Sequence, residues 1–149
     1  MTLDADPRWE PDVVGTLPEF PIGSIRNDFD EIFLIHGIEH FHWWEAKPLL
    51  ANIRTALRTG GTLVLEQPNL ESVAKAILGM ATYSDLWERD TLWALYGAPE
   101  GGLMSHKFGY TPTMLKAVLE ESGFASDKIH VLEAKSHYPG RDFRIEAVK

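Results

Sequence analysis

The sequence contains no cysteine. That excludes a disulfide framework and any thiolate metal centre, and it accords with a reducing compartment. Long apolar runs are missing too: nothing approaches the ~20 apolar residues that a membrane-spanning helix requires. The first fifteen residues carry Asp4, Asp6, Glu10 and Asp12 where a signal peptide would have an apolar core. Cytoplasmic placement is the resulting expectation. Positive charge is scarce, with 14 Lys and Arg against 22 Asp and Glu and a formal balance of −8. Such a surface repels nucleic-acid phosphates and anionic membranes at long range, so neither is expected as a partner. A small molecule or another protein is the expected one. No internal repeat or low-complexity tract is present either.

What is there suits one globular domain over residues 1–149, because 44% of the residues are apolar and the length is too short for two cores. The Pro-rich start, with Pro7, Pro11, Pro18 and Pro21, leaves room for a short strand only at residues 11–15. The apolar run at residues 30–35 predicts a strand covered on both faces, the habit of a parallel sheet. Over residues 43–58, Trp44, Leu49, Leu50, Ile53, Ala56 and Leu57 recur at helical spacing, and Gly60-Gly61 is the expected stop. Residues 62–67 read as the next strand, ended by Pro68, so a right-handed βαβ unit is expected. Helices are predicted at 71–78 and 85–96, then a Gly-rich loop at 97–102. Thr111 is placed to cap a helix at 113–122 with Pro112 at its first position. Strands at 128–134 and 142–148 close the chain, joined by a turn at 138–141 that permits an antiparallel return.

Taken in order, several segments resemble successive motifs of S-adenosylmethionine (SAM)-dependent class I methyltransferases of the type 11 kind. They are Leu3-Asp-Ala-Asp-Pro7, Asp12-Val-Val-Gly-Thr-Leu17, Phe29-Asp-Glu-Ile32, His36-Gly-Ile-Glu-His40, Leu57-Arg-Thr-Gly-Gly61 and Leu63-Val-Leu-Glu-Gln-Pro-Asn69. Tyr96-Gly97, His106-Lys-Phe-Gly-Tyr-Thr-Pro112, Ser122-Gly-Phe124 and Arg141-Asp-Phe-Arg144 extend the resemblance over nearly the whole chain. It implies a Rossmann-like α/β fold with a mostly parallel sheet, an antiparallel last strand and a helical lid at about residues 71–110, with SAM across the C-terminal strand ends. It also implies that the family's first strand, its glycine-rich turn and its first helix would precede Met1, so the domain is expected to be truncated at its start. The strand at residues 30–35 is then left with an open edge, which invites a homodimer or heteromer.

The same resemblance implies the site residues. Asp4 matches the acidic residue that accepts hydrogen bonds from the ribose hydroxyls, with Asp6 as its backup, though an Asp beside Pro7 can equally serve as a turn residue. Thr16 and Leu17 fall where the adenine is held, and Thr16 departs from the acidic residue usual there. His36-Gly37 matches the turn beside the methionine part of SAM, and His36 is a candidate base, against the plainer reading of a structural histidine. Methyl transfer needs mainly alignment, so a missing base would not exclude activity. The acceptor side is expected at Trp87, Trp93, Tyr96, His106 and Tyr110, aromatics that can instead form a dimer surface. Trp43 and Trp44 can stack on a ring or face an interface.

The resemblance leads to a methyltransferase acting on a small-molecule or sugar-like acceptor, with a non-catalytic scaffold as the alternative. His36-Gly-Ile-Glu-His40 also fits H-x-x-E-H, a zinc pattern of hydrolases, with His42 nearby. That chemistry needs the motif inside one helix, whereas here it leaves a strand and contains Gly37, so no metal site is expected and Glu39 and His40 are expected to start and cap the next helix.

Overall fold

In the computed structural model, which describes residues 2–4, 7–15, 17, 28–79, 87–98 and 102–149, the first two strands are short. They are β1 (Leu3–Asp4) and β2 (Val13–Val14), paired in parallel to form a two-stranded sheet. The side chains of residues 87–90 and 103 are outside the description. Next comes β3 (Phe29–Ile35), then α1 (Trp43–Ala56) and β4 (Leu57–Pro68). β3 and β4 are parallel, so the expected βαβ unit is present. The helix ends sooner than Gly60-Gly61 suggested. Leu57 is already extended, and Phe29 pairs with it, so β4 begins directly after α1. Gly61 instead allows a close backbone approach: a Cβ there would lie 3.0 Å from the carbonyl oxygens of Phe29, Asp30 and Arg58.

α2 (Leu70–Ile77) packs on α3 (Trp87–Tyr96), and these occupy the stretch expected to form the lid. α4 (Pro112–Glu121) starts as its sequence predicts, with Thr111 Oγ1 accepting from Met114 N at 3.2 Å and Pro112 losing no needed donor. β5 (Ile129–Glu133) and β6 (Asp142–Val148) finish the fold. The larger sheet has the order β3-β4-β6-β5. β6 enters between β4 and β5 and runs against both, so two of the three pairings are antiparallel. The sheet is therefore mixed, and the expectation of a mostly parallel sheet is corrected. One reversed strand placed inside a sheet reverses the pairing on both of its sides.

β4 is the central strand. Leu63 and Leu65 face the core with Leu50 and Ile53 of α1, Leu115 and Leu119 of α4 and Ile145 of β6, all no more than 1% exposed. Burying each such side chain stabilises by roughly 1.5–3 kcal/mol. Truncating Leu50 to Ala would cost about 2–5 kcal/mol, since transfer and cavity terms add. Val64 and Glu66 alternate onto the other face, as the two-residue strand period requires. Among the described residues, no helix is long and apolar enough to cross a membrane.

Candidate functional site

The C-terminal ends of β3 and β4 gather most of the buried charge. β3 ends in His36, whose φ of 48° lies in the left-handed region that a β-carbon disfavours. Its backbone is tied down by a 2.7 Å hydrogen bond from His36 N to Glu66 O. Gly37 follows because a Cβ there would run into the side chain of Leu34. Strained backbone at a strand end is a frequent mark of a working site. The His36 ring lies between two buried carboxylates: Nε2 is 3.0 Å from Asp142 Oδ2 and Nδ1 is 3.3 Å from Glu39 Oε1. Burial pushes its pKa down, but contacts with Asp142 and Glu39 outweigh this and raise it to about 9. At neutral pH the ring is protonated. The protonated ring donates hydrogen bonds, and it becomes able to accept a proton as pH rises through about 9.

Asp142 opens β6 and is held from its other side by Arg141, whose Nε donates to Oδ1 at 2.6 Å and whose Nη2 donates to Oδ2 at 2.9 Å. Burial raises the Asp142 pKa and the two cationic partners overcome it, leaving the carboxyl below its usual range. The Arg141 guanidinium also lies 4.0 Å over the Tyr138 ring.

Glu66, fully buried on β4, accepts from three successive amides: Lys135 N at 3.0 Å, Ser136 N at 2.7 Å and His137 N at 3.0 Å. Arg144 Nη1 adds a cation at 3.6 Å. Burial again acts upward, and these donors together hold the carboxyl below the ordinary glutamate value. Glu66 thereby fixes the turn before β6.

The other corner lies over Ile38–His40, a 3-10 turn separate from α1. Glu39 and His40 do not cap the helix; His42 is the N-cap, and its N–H donates to Glu45 Oε2 at 2.7 Å. Glu39 is 2% exposed, yet neither carboxylate oxygen accepts a hydrogen bond among the described residues. His36 Nδ1 stands at ion-pair distance from Oε1. His40 and His106 meet edge to face, with ring centroids 4.9 Å apart. Burial lowers the His106 pKa, so its neutral form is favoured.

His106 is delivered by a closed loop. An isolated bridge joins Gly97 to Ser105, and His106 N donates to Tyr96 O at 3.0 Å. Gly97 has φ 83°, and a Cβ there would collide with Met104 O. Tyr110 is 1% exposed and packs edge-on to Phe108. Burial and the nearby Glu39 charge raise its pKa to about 12, so it stays a phenol.

The fold as a whole superposes on solved structures. The fold is that of the SAM-dependent methyltransferases. A SAM-dependent methyltransferase from Archaeoglobus fulgidus superposes with a TM-score of 0.66 at 16% identity, over 99% of this chain and 74% of that one. A protein from Nostoc punctiforme assigned as an O-methyltransferase gives 0.60 at 18% identity, over 92% of this chain. Human N-acetylserotonin methyltransferase, solved with SAM, gives 0.58 at 16% identity over 91%. This chain spans 36% of the Nostoc protein and 32% of the human enzyme. At these identities the likeness is one of fold. No family model matches the sequence, and no curated protein does.

Within the methyltransferase fold, Asp4 ends β1 with an exposed side chain, its backbone O accepting from Gly15 N at 2.9 Å. Leu17 is partly buried and packs against the main core. Thr16 and Asp6 lie outside the described residues. Trp87 begins α3 and its side chain is not described. Trp43 and Trp44 are both exposed, 62% and 57%, with Trp44 stacked on His42 at 4.3 Å. His36 thus meets Asp142, Glu39 and the backbone of Glu66, partners that sequence reasoning missed. Arg141 and Asp142 stood in a recognised motif, but nothing local signalled that they reach His36.

Proposed function

We propose that this chain is a SAM-dependent methyltransferase domain acting on a small-molecule or sugar-like acceptor. The observation that carries the reading is the likeness of fold, which extends over 99% of the chain in the Archaeoglobus comparison. The donor set is compatible with SAM. Asp4 offers an exposed carboxylate at a strand end, suited to a vicinal diol because it has several acceptor lone pairs. Leu17 offers an apolar surface for the adenine, with Thr16 beside it in sequence. The His36-Gly37 turn borders the methionine part. SAM supplies a methyl group activated on a sulfonium. The chain's task is then to align the acceptor with it, which alone can supply much of the rate. His106, Tyr110 and Trp87 are the residues proposed for the acceptor side. Protonated His36 acts there as a hydrogen-bond donor and a fixed positive charge.

Calorimetric titration of the purified chain with SAM and with S-adenosylhomocysteine tests this. Saturable binding of both, weakened at least about tenfold by Asp4→Ala through loss of charge-assisted hydrogen bonds, is the expected result. Absence of binding by either would overturn the reading and leave the fold as a non-catalytic scaffold. We also propose that the outer edge of β3, where Phe33 is 56% exposed, pairs with a second copy or another chain. A strictly monomeric mass by light scattering would remove that part.

A further inference from the structure

We infer that Glu39, His40 and His106 form a binding site for one divalent transition-metal ion of the zinc class. The inference stands on its own geometry and does not need the methyl-transfer reading. One ligand atom from each residue lies within 4.8 Å of those of the other two. Four-coordinate zinc with bonds of about 2.0–2.2 Å needs ligand atoms about 3.3–3.5 Å apart. Each atom would therefore move by roughly 1 Å or less, a side-chain adjustment.

The histidines are poised as ligands usually are. His40 Nδ1 lies 3.1 Å from Ser105 O and His106 Nδ1 lies 3.0 Å from Ala94 O. A carbonyl oxygen can only accept, so each Nδ1 carries a proton, and in the neutral ring each Nε2 then has the lone pair that a metal takes. Such a backbone partner on the second nitrogen fixes the tautomer and ring orientation of metal-binding histidines. The third member is Glu39, 98% buried by its 2% exposure, with neither carboxylate oxygen accepting a hydrogen bond among the described residues. His36 stands against Oε1, which leaves Oε2 for an ion. A buried carboxylate without donors is costly, and a cation is one of the few groups that satisfies it fully. Two imidazoles and one carboxylate are a zinc-type donor set that leaves a fourth position for water or a substrate oxygen. The expectation from sequence that this motif holds no metal rested on its leaving the helix. His106, 66 positions beyond His40, now takes the place that the local H-x-x-E-H spacing could not fill.

Bound there, the ion would clasp the segment after Gly102 to the turn after β3. The test uses chelator-treated protein titrated with Co2+ and followed by visible absorption. One Co2+ per chain is expected, with the d–d bands of a low-coordinate site. Binding should weaken at least about tenfold in His40→Ala and in His106→Ala, in line with what disturbing a metal site costs. His130→Ala, at an exposed histidine on β5, should bind like wild type. If either alanine variant loses its far-UV circular dichroism, Zn2+ titration of the wild type by NMR decides. Ring resonances of His40 and His106 shift together while His130 stays still. No stoichiometric Co2+ uptake, as when a water fills the gap, overturns the proposal. So does unchanged affinity in both folded variants, or Zn2+ shifts that spare His40 and His106.

Discussion

Glu66 and Glu39 lie at the ends of neighbouring elements, both buried, and they are solvated in opposite ways. Glu66 accepts three backbone amides and faces Arg144, so its charge is neutralised within the chain. Glu39 faces His36 alone at ion-pair distance among the contacts described, with no hydrogen bond to either oxygen. A saturated carboxylate holds a structure together, because removing it orphans every donor around it. An unsaturated one costs stability and persists only where a ligand, a water or a function requires it. One fold thus contains a corner built to be rigid and a corner left incomplete.

The largest test of this contrast is Glu66→Ala, expected to cost about 3–5 kcal/mol in urea unfolding because it takes the shared acceptor from three amides and leaves Arg144 with Glu146 as its remaining carboxylate. A loss below 1 kcal/mol, within the range of ordinary exposed pairs, would erase the contrast. Gly97→Ala should cost at least about 1–2 kcal/mol, the price of left-handed φ for a residue with a β-carbon, and more from the Met104 clash. Its signature is a changed environment of the His106 ring by NMR, since that loop delivers the ring. By comparison Glu39→Gln, in metal-free protein, should stay within about 1 kcal/mol of wild type. If it matched Glu66→Ala, the two corners would be alike.

The acid dependence sharpens the comparison further. Because the folded Glu66 pKa is lowered, its contribution is present above the unfolded value of about 4.3 and is lost as pH falls through the folded pKa. Glu66→Gln should therefore flatten the stability curve on the acid side, as read by unfolding at successive pH values. The smallest effect sought is local: Asp142→Asn should bring the His36 pKa down from about 9 toward its ordinary 6.5, followed by ring NMR. An unmoved titration would mean that Glu39 sets the charge of His36 by itself.

What could be read in the sequence was local. Thr111-Pro112 announced α4 because cap and helix are three residues apart, and the apolar run before His36 announced β3. The turn before β6 was legible from Tyr138-Pro-Gly-Arg141 for the same reason. The start of β4 was misjudged, since pairing with Phe29 decided it and the two glycines did not. The site was opaque because its contacts are distant: Glu66 meets amides 69–71 positions away, and His40 meets Ser105 across 65. No spacing rule reaches that far. The motif resemblance did place His36 and Gly37 at the strand end, while the groups that set the charge of His36 came from β6 and a 3-10 turn.

The reversed strand β6 has a consequence for the order of assembly. Its residues, Asp142–Val148, follow the other described strands in sequence, yet they occupy an interior place between β4 and β5. Until they are synthesised, β5 has no neighbour to pair with and β4 lacks one side of its ladder. Loop closure across 74 positions separates Pro68 from its partner Asp142, a pairing that is entropically costly to make early. The seven-residue β6 is the keystone of this sheet, so its pairing with both neighbours is expected to be a late step in folding.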